Sequence, residues 1–207
     1  MPFPTTGILD AFTRADENPL ANSTWSGPII SGQPQLRLVS NQLAGPSSGT
    51  FGESYWSAAT FGADSEAYFD TVPVYSASRI DVFLRGANPN VASAFDGYMI
   101  VANDGTSLAQ IWRYDNSVAT KLGADISQTW TDGDGFGADV VGSTITVYRK
   151  SAGSWSSLGT RTDTTYTAAG NIGAQCQNSG VRADDFGGGT VVVAGGAPSQ
   201  LTTLGIG

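Results

Sequence analysis

The sequence predicts an all-β fold: one antiparallel two-sheet β-sandwich of the large jelly-roll kind. Three observations predict it. Apolar residues recur with a period of two along most of the 207 residues, the spacing that turns one face of a strand inward. Clusters of Gly, Asn, Asp and Ser break these runs roughly every 8–12 residues, the rhythm of an antiparallel sandwich. No segment sustains a 3.6-residue period, and the best helix candidate, Arg14–Ser23, is interrupted by Pro19, so it reads as a loop with at most one short turn.

Taken in order, Leu9-Asp10-Ala11-Phe12 opens the sandwich. It echoes Ala183-Asp184-Asp185-Phe186 near the other end, which suggests that the first strand pairs with one near the last. Residues 64–70 alternate, with Asp64, Glu66, Tyr68 and Asp70 on one face and Ala67 and Phe69 on the other. In 78–85, Ile80, Val82 and Leu84 alternate with Arg79 and Asp81. Segments 97–103 and 108–114 follow, joined by Asn103-Asp104-Gly105, a turn sequence. Thr131–Gly135 is a Gly/Asp turn. In 143–150, Ile145 and Val147 alternate with Thr144, Thr146 and Tyr148. Segments 171–178, 181–186 and 190–194 read as further strands, rich in β-branched or small apolar residues. The chain thus divides into an arm (1–7), a sandwich (8–194) and a tail (195–207).

Composition excludes several functions. The 27 glycines and 9 prolines stay below the ~25–30 % of a low-complexity polymer. Ten basic against eighteen acidic residues give a net charge of −8, which argues against binding nucleic acid or an anionic membrane surface. No histidine is present, so Ser–His and Cys–His catalysis and His-containing zinc sites are excluded. The single Cys176 cannot form an internal disulfide and reads as a small buried hydrophobe. The opening MPFPTTGILDAF has no basic, apolar leader pattern and no stretch reaches the ~20 apolar residues of a membrane span. The expectation is a protein made in a cytoplasm, in which the sequon at Asn22 carries no glycan.

The opening ILDAFTRADENPLANSTWS, with Asp10, Phe12, Arg14, Ala15, Asp16, Leu20 and Trp25, resembles the start of concanavalin A-like (laminin G-like) jelly-roll domains. The middle is similar too, through Tyr98, Arg113, Leu122 and Gly123, as is the hairpin DGFGADVVGSTITVYRK. The close, ending in Asp185-Phe186-Gly187-Gly188, completes a likeness over roughly residues 8–190. The resemblance implies a concanavalin A-like sandwich. It also points to secreted glycan-processing proteins and to structural proteins of tailed phages, and a fold alone does not select between them.

Three sets of residues are candidates for chemistry. Asp64 and Glu66, two apart on a strand, would stand about 6.5 Å from each other, within the span of a glycosidase carboxyl pair. The denser Glu-x-Asp-x-x-Glu pattern of hydrolases of this fold is missing, so the expectation is no catalysis and a solvated strand face. Asp132 and Asp134 have calcium-like spacing, but the position where an EF-hand places Glu is Ser143, so a turn is the expected reading and no metal is expected. Among five tryptophans, Trp155 lies in the polar stretch SAGSWSSLG and is the candidate for stacking on a sugar; the others can serve as core.

The expected role is a non-enzymatic virion protein of a tailed phage, a capsid decoration or tail-accessory subunit made in the host cytoplasm. It needs no cofactor and contacts other virion proteins and its own copies. Met1, Phe3, Leu201, Leu204 and Ile206 are the expected interface residues, as small apolar anchors on the two ends. The alternative is a free carbohydrate-binding module, and a second alternative is a glycoside hydrolase of the same fold.

Overall fold

The structure, a computed structural model, describes residues 2–20, 22–46 and 51–192. In chain order its strands are β1 (Ile8–Asp10), β2 (Trp25–Ser26), β3 (Arg37–Val39), β4 (Gln42–Ala44), β5 (Phe51–Trp56), β6 (Ser65–Val74), β7 (Arg79–Ala87) and β8 (Asp96–Asn103). Then come β9 (Leu108–Asp115), β10 (Val118–Lys121), β11 (Ile126–Ser127), β12 (Gly135–Val141), β13 (Thr144–Ser151), β14 (Ser154–Thr162), β15 (Asn171–Gln177) and β16 (Arg182–Thr190). Every pairing is antiparallel. The first sheet runs β14-β13-β12-β6-β16-β4-β3, with β1 beside β16. The second runs β10-β9-β8-β7-β15-β5-β2, with β11 beside β9. The chain is an all-β two-sheet sandwich, and its described residues contain no helix.

Alternation builds the core. On β13, Ile145 and Val147 are fully buried while Thr144, Thr146 and Tyr148 face outward. On β6, Ala67 and Phe69 point inward beside Phe136 and Ala138 of β12 and Phe186 of β16. Phe186 packs 5.3 Å from Phe69 and 5.0 Å from Trp25, centroid to centroid. Each large side chain removed from water in this way stabilises the fold by roughly 1.5–3 kcal/mol.

The expected pairing of the two ends is present: Ile8 stands opposite Gly187 and Asp10 opposite Phe186. Two details differ from the sequence reading. Phe12 lies beyond β1, in a turn with φ of 52°, where its amide donates to Asp10 Oδ1 (2.8 Å). And 181–186 and 190–194 are not two strands: β16 runs unbroken through Gly187-Gly188-Gly189 to Thr190. These glycines make room rather than a turn. A Cβ on Gly187 would collide with the Tyr68 ring and hydroxyl. Positions 193–194 lie outside the described residues.

The second sheet carries a smaller core on its outer face. Ile29, Phe83, Phe95, Met99 and Val101 are buried there, with Tyr55, Trp112 and Tyr114 packed around them. Beneath it, Glu53, Gln175 and Asp81 stand in one cross-strand row, all nearly inaccessible. Gln175 Nε2 donates to Glu53 Oε1 (2.5 Å) and Ile30 N to Glu53 Oε2 (2.6 Å). Arg79 donates to both oxygens of Asp81 and to Gln175 Oε1. Burial pushes the Glu53 carboxyl up to about 7, with Asp81 adding to the rise and the Ile30 and Gln175 bonds opposing it. Burial likewise raises Asp81, against the pull of Arg79.

Candidate functional site: an aromatic and hydroxyl face on the first sheet

Register places a row of outward residues across the first sheet. Ser157 of β14 stands opposite Tyr148 of β13, which faces Gly137 of β12. Gly137 faces Tyr68 of β6, and Tyr68 faces Gly187 of β16. The tyrosine–glycine alternation lets each ring lie over an unbranched backbone. The neighbouring row runs Thr146, Asp139, Glu66 and Gly189. A third pair, Lys150 and Trp155, closes the β13–β14 edge.

The arm lies across these rows. The Phe3 ring stacks on Tyr148 with centroids 3.9 Å apart and planes 3° from parallel. It meets Trp155 and Tyr68 edge-on at 5.0 and 5.9 Å. Its Cζ would stand 2.9 Å from a Cβ on Gly137, so that glycine is the floor of its seat. Further along, Thr5 N, Thr6 N and Thr6 Oγ1 donate to Glu66 Oε1 at 2.7, 2.6 and 2.6 Å. Tyr68 Oη donates to Thr6 O (2.9 Å). Phe3, expected to reach another molecule, is thus spent on its own sandwich; Met1, Leu201, Leu204 and Ile206 lie outside the described residues.

The carboxylates of this face are structural in their bonding. Glu66 is 1 % exposed, with one oxygen saturated by the arm. Asp64, expected on the same strand as Glu66, lies just before β6; it accepts from Gly142 N (2.8 Å) and lies 3.6 Å from Arg85, so the two carboxylates do not form a strand pair. The carboxylate standing opposite Glu66 is Asp139, which the spacing argument missed because it lies on another strand. Tyr148 Oη donates to Asp139 (3.0 Å). Partial burial raises the Asp139 carboxyl, with Glu66 adding to the rise, and burial pushes the Tyr148 hydroxyl up to about 12.

Beside the arm, the face opens into a cavity of about 490 Å³, within the ~300–1,000 Å³ of small-ligand sites. Trp155, Tyr148 and Phe3 supply its aromatic surfaces. Thr146, Ser154, Ser156 and Ser157 supply hydroxyls, and Pro2 completes the rim. Trp155 is half-buried and lines the cavity, so part of its indole is presented there. The other tryptophans do not compete: Trp25, Trp56 and Trp130 are core, and Trp112 packs on the second sheet's outer cluster.

Asp132 and Asp134 serve the turn. Asp132 Oδ1 accepts from Tyr75 N (2.9 Å). Asp134 Oδ2 accepts from Thr131 N (3.0 Å) and pairs with Arg149 (2.6 Å). Among the described residues, no three His, Cys, Asp or Glu side chains gather as a metal site. Cys176 is buried and its thiol is pushed up by burial, as a core residue's would be.

Neither a protein-family model nor a curated protein matches the sequence. Solved structures do match the fold. The carbohydrate binding module CBM66 from Bacillus subtilis aligns with a TM-score of 0.57 at 12 % identity, over 84 % of this chain and 98 % of that one. The exoplasmic/lumenal domain of VIP36, in its Ca2+/Man2-bound form, aligns with a TM-score of 0.60 at 11 % identity, over 93 % and 90 %. The β-glucanase of Bacillus licheniformis aligns with a TM-score of 0.56 at 13 % identity, over 88 % and 97 %. The chain therefore has a lectin-like, concanavalin A-like jelly-roll fold, as the resemblance implied.

Proposed function

We propose that this protein is a non-catalytic carbohydrate-binding module that holds a neutral glycan in the Trp155 cavity. The observation that carries the reading is the lining itself: a partly exposed indole with a phenol and a phenyl ring, ringed by four hydroxyl side chains. Sugar rings offer apolar C–H faces to aromatic planes and hydroxyls to hydroxyls. The surrounding charge favours a neutral ligand. Glu66, Asp70 and Asp139 share the face with one cation, Lys150, which is itself paired to Asp70 at 2.6 Å, so an anionic glycan would meet repulsion. The fold likeness to a binding module and to a lectin domain supports the same class.

The non-catalytic part rests on Glu66. An acid–base carboxyl needs access to its substrate, and this one is enclosed by the arm. The virion reading has the sequence resemblance behind it, and the proteins named above favour the glycan reading over it. On a particle surface the same cavity would serve adhesion, and co-purification with particles tests that placement.

The test is a glycan array probed with the full chain, followed by titration calorimetry on whatever binds. Trp155→Ala should weaken binding by roughly 30-fold or more, the scale of an aromatic anchor, with a cooperative unfolding transition retained. Binding that survives Trp155→Ala, or no binding to any neutral glycan, overturns the proposal. Hydrolysis of a bound glycan, lost in Glu66→Gln, would restore the enzyme alternative.

A further inference from the structure

We infer that the arm is an end-stop: it occupies the continuation of the binding face, so the cavity takes the terminus of a saccharide chain and not its interior. This rests on the glycan-binding reading above and adds the class of ligand. The arm imitates a bound sugar chain at both of its anchors. A flat ring lies parallel on Tyr148 at 3.9 Å, the geometry in which a pyranose face meets an aromatic. Beyond it, two amides and a hydroxyl donate to Glu66, the bonds that sugar hydroxyls give a carboxylate.

The seat is cut into the sheet rather than laid on it. Gly137 and Gly189 stand under Phe3 and Thr6, with a Cβ on either meeting the arm at 2.9 and 3.1 Å. The cavity and the seat are one surface divided by the arm. Phe3 is the wall of the first and the occupant of the second, and Tyr148 belongs to both. A chain lying along Trp155 and the β14 serines therefore runs into Phe3, stacked on Tyr148, after a short stretch and must end there. The face beneath the arm supplies more aromatic surface and two carboxylate acceptors, Glu66 and Asp139, which a longer neutral chain would use once the arm is displaced.

The experiment compares the full chain with Phe3→Ser by calorimetry, using neutral gluco-, manno-, galacto- and fructo-oligosaccharides from disaccharide to hexasaccharide. For the wild type, molar affinity should level off by the trisaccharide and vanish when the chain end is capped. In Phe3→Ser, affinity should climb about tenfold from trisaccharide to hexasaccharide and tolerate the cap. Phe3→Tyr should keep the plateau. If Phe3→Ser fails to fold, Thr6→Val loosens the arm at its other anchor and should shift the length dependence in the same direction. An affinity that already climbs with length in the wild type, or a plateau unchanged in both loosened variants, overturns the end-stop while leaving the glycan site standing. Absence of saccharide binding in wild type and variants alike overturns the reading beneath it.

Discussion

Glu53 makes the stability of this protein depend on pH in a window where the rest of the chain is nearly silent. Its carboxyl rises from 4.5 to about 7 because burial between the second sheet and its outer cluster penalises the charged form. The folded-state value lies above the unfolded one, so the associated stability is fully present below about pH 4.5 and is lost as pH rises through about 7. The shift is about 2.5 units, and at 1.36 kcal/mol each this amounts to about 3 kcal/mol. The background is clean because the chain has no histidine, the residue that ordinarily titrates there. Urea unfolding followed by tryptophan fluorescence at pH 5 and pH 8 should show the wild type about 2.5 kcal/mol less stable at pH 8, part of the full amount being already lost at pH 5. Glu53→Gln should remove most of that difference, with the remainder reflecting Asp81 and Asp139, which are raised in the same direction. Equal losses in wild type and Glu53→Gln would refute the reasoning, since the slope would then belong to other groups.

Other expectations follow from the packing. Gly187→Ala should cost roughly 1–3 kcal/mol by overpacking and should also release the arm, because Tyr68 must move and drop its bond to Thr6; urea midpoints and Phe3–Trp155 proximity by NMR check both. Arg85 is buried and donates to Ala63 O, Tyr166 O and Gly142 O, so Arg85→Ala should cost about 3–5 kcal/mol on a denaturant curve. Asp134→Ala should loosen the 131–135 turn by about 1–3 kcal/mol, the cost of stranding the Arg149 and Thr131 donors, without altering calcium sensitivity in a thermal melt. A chain ending at Val181 lacks β16 and should show no cooperative unfolding transition.

The legible parts of the fold were strands whose inward face is β-branched or aliphatic, such as β7 and β13, because burial and alternation coincide there. Strand β15 was legible as a strand at 171–178, but β5 was not, and neither showed its buried polar pair. Glu53 and Gln175 look like surface residues in the sequence, and only cross-strand pairing shows that they satisfy one another inside. β14 is half-exposed along an edge, so its Ser-Trp-Ser-Ser pattern carries no burial signal and reads as a loop. Trp155 was legible for the same reason, as a large aromatic in polar surroundings. Its partners were not. Tyr148 and Phe3 reach it from another strand and from the arm, and no spacing in the sequence links positions 3, 148 and 155. Asp139 escaped for the converse reason: the carboxylate facing Glu66 is its neighbour across strands, not along one.

The position of β16 also dictates the order of assembly. It lies inside the first sheet, between β6 and β4, and receives β1 as well. During synthesis the β6-β12-β13-β14 block and the β3–β4 hairpin therefore wait as separate fragments, each with a bare hydrogen-bonding edge. At ~5–20 residues per second, β1 waits roughly ten to forty seconds for its partner to be translated. The nascent chain exposes aggregation-competent edges throughout that interval. A helper that shields strand edges, or a slow-growing host at lower temperature, should raise the soluble yield more than any substitution in the finished core.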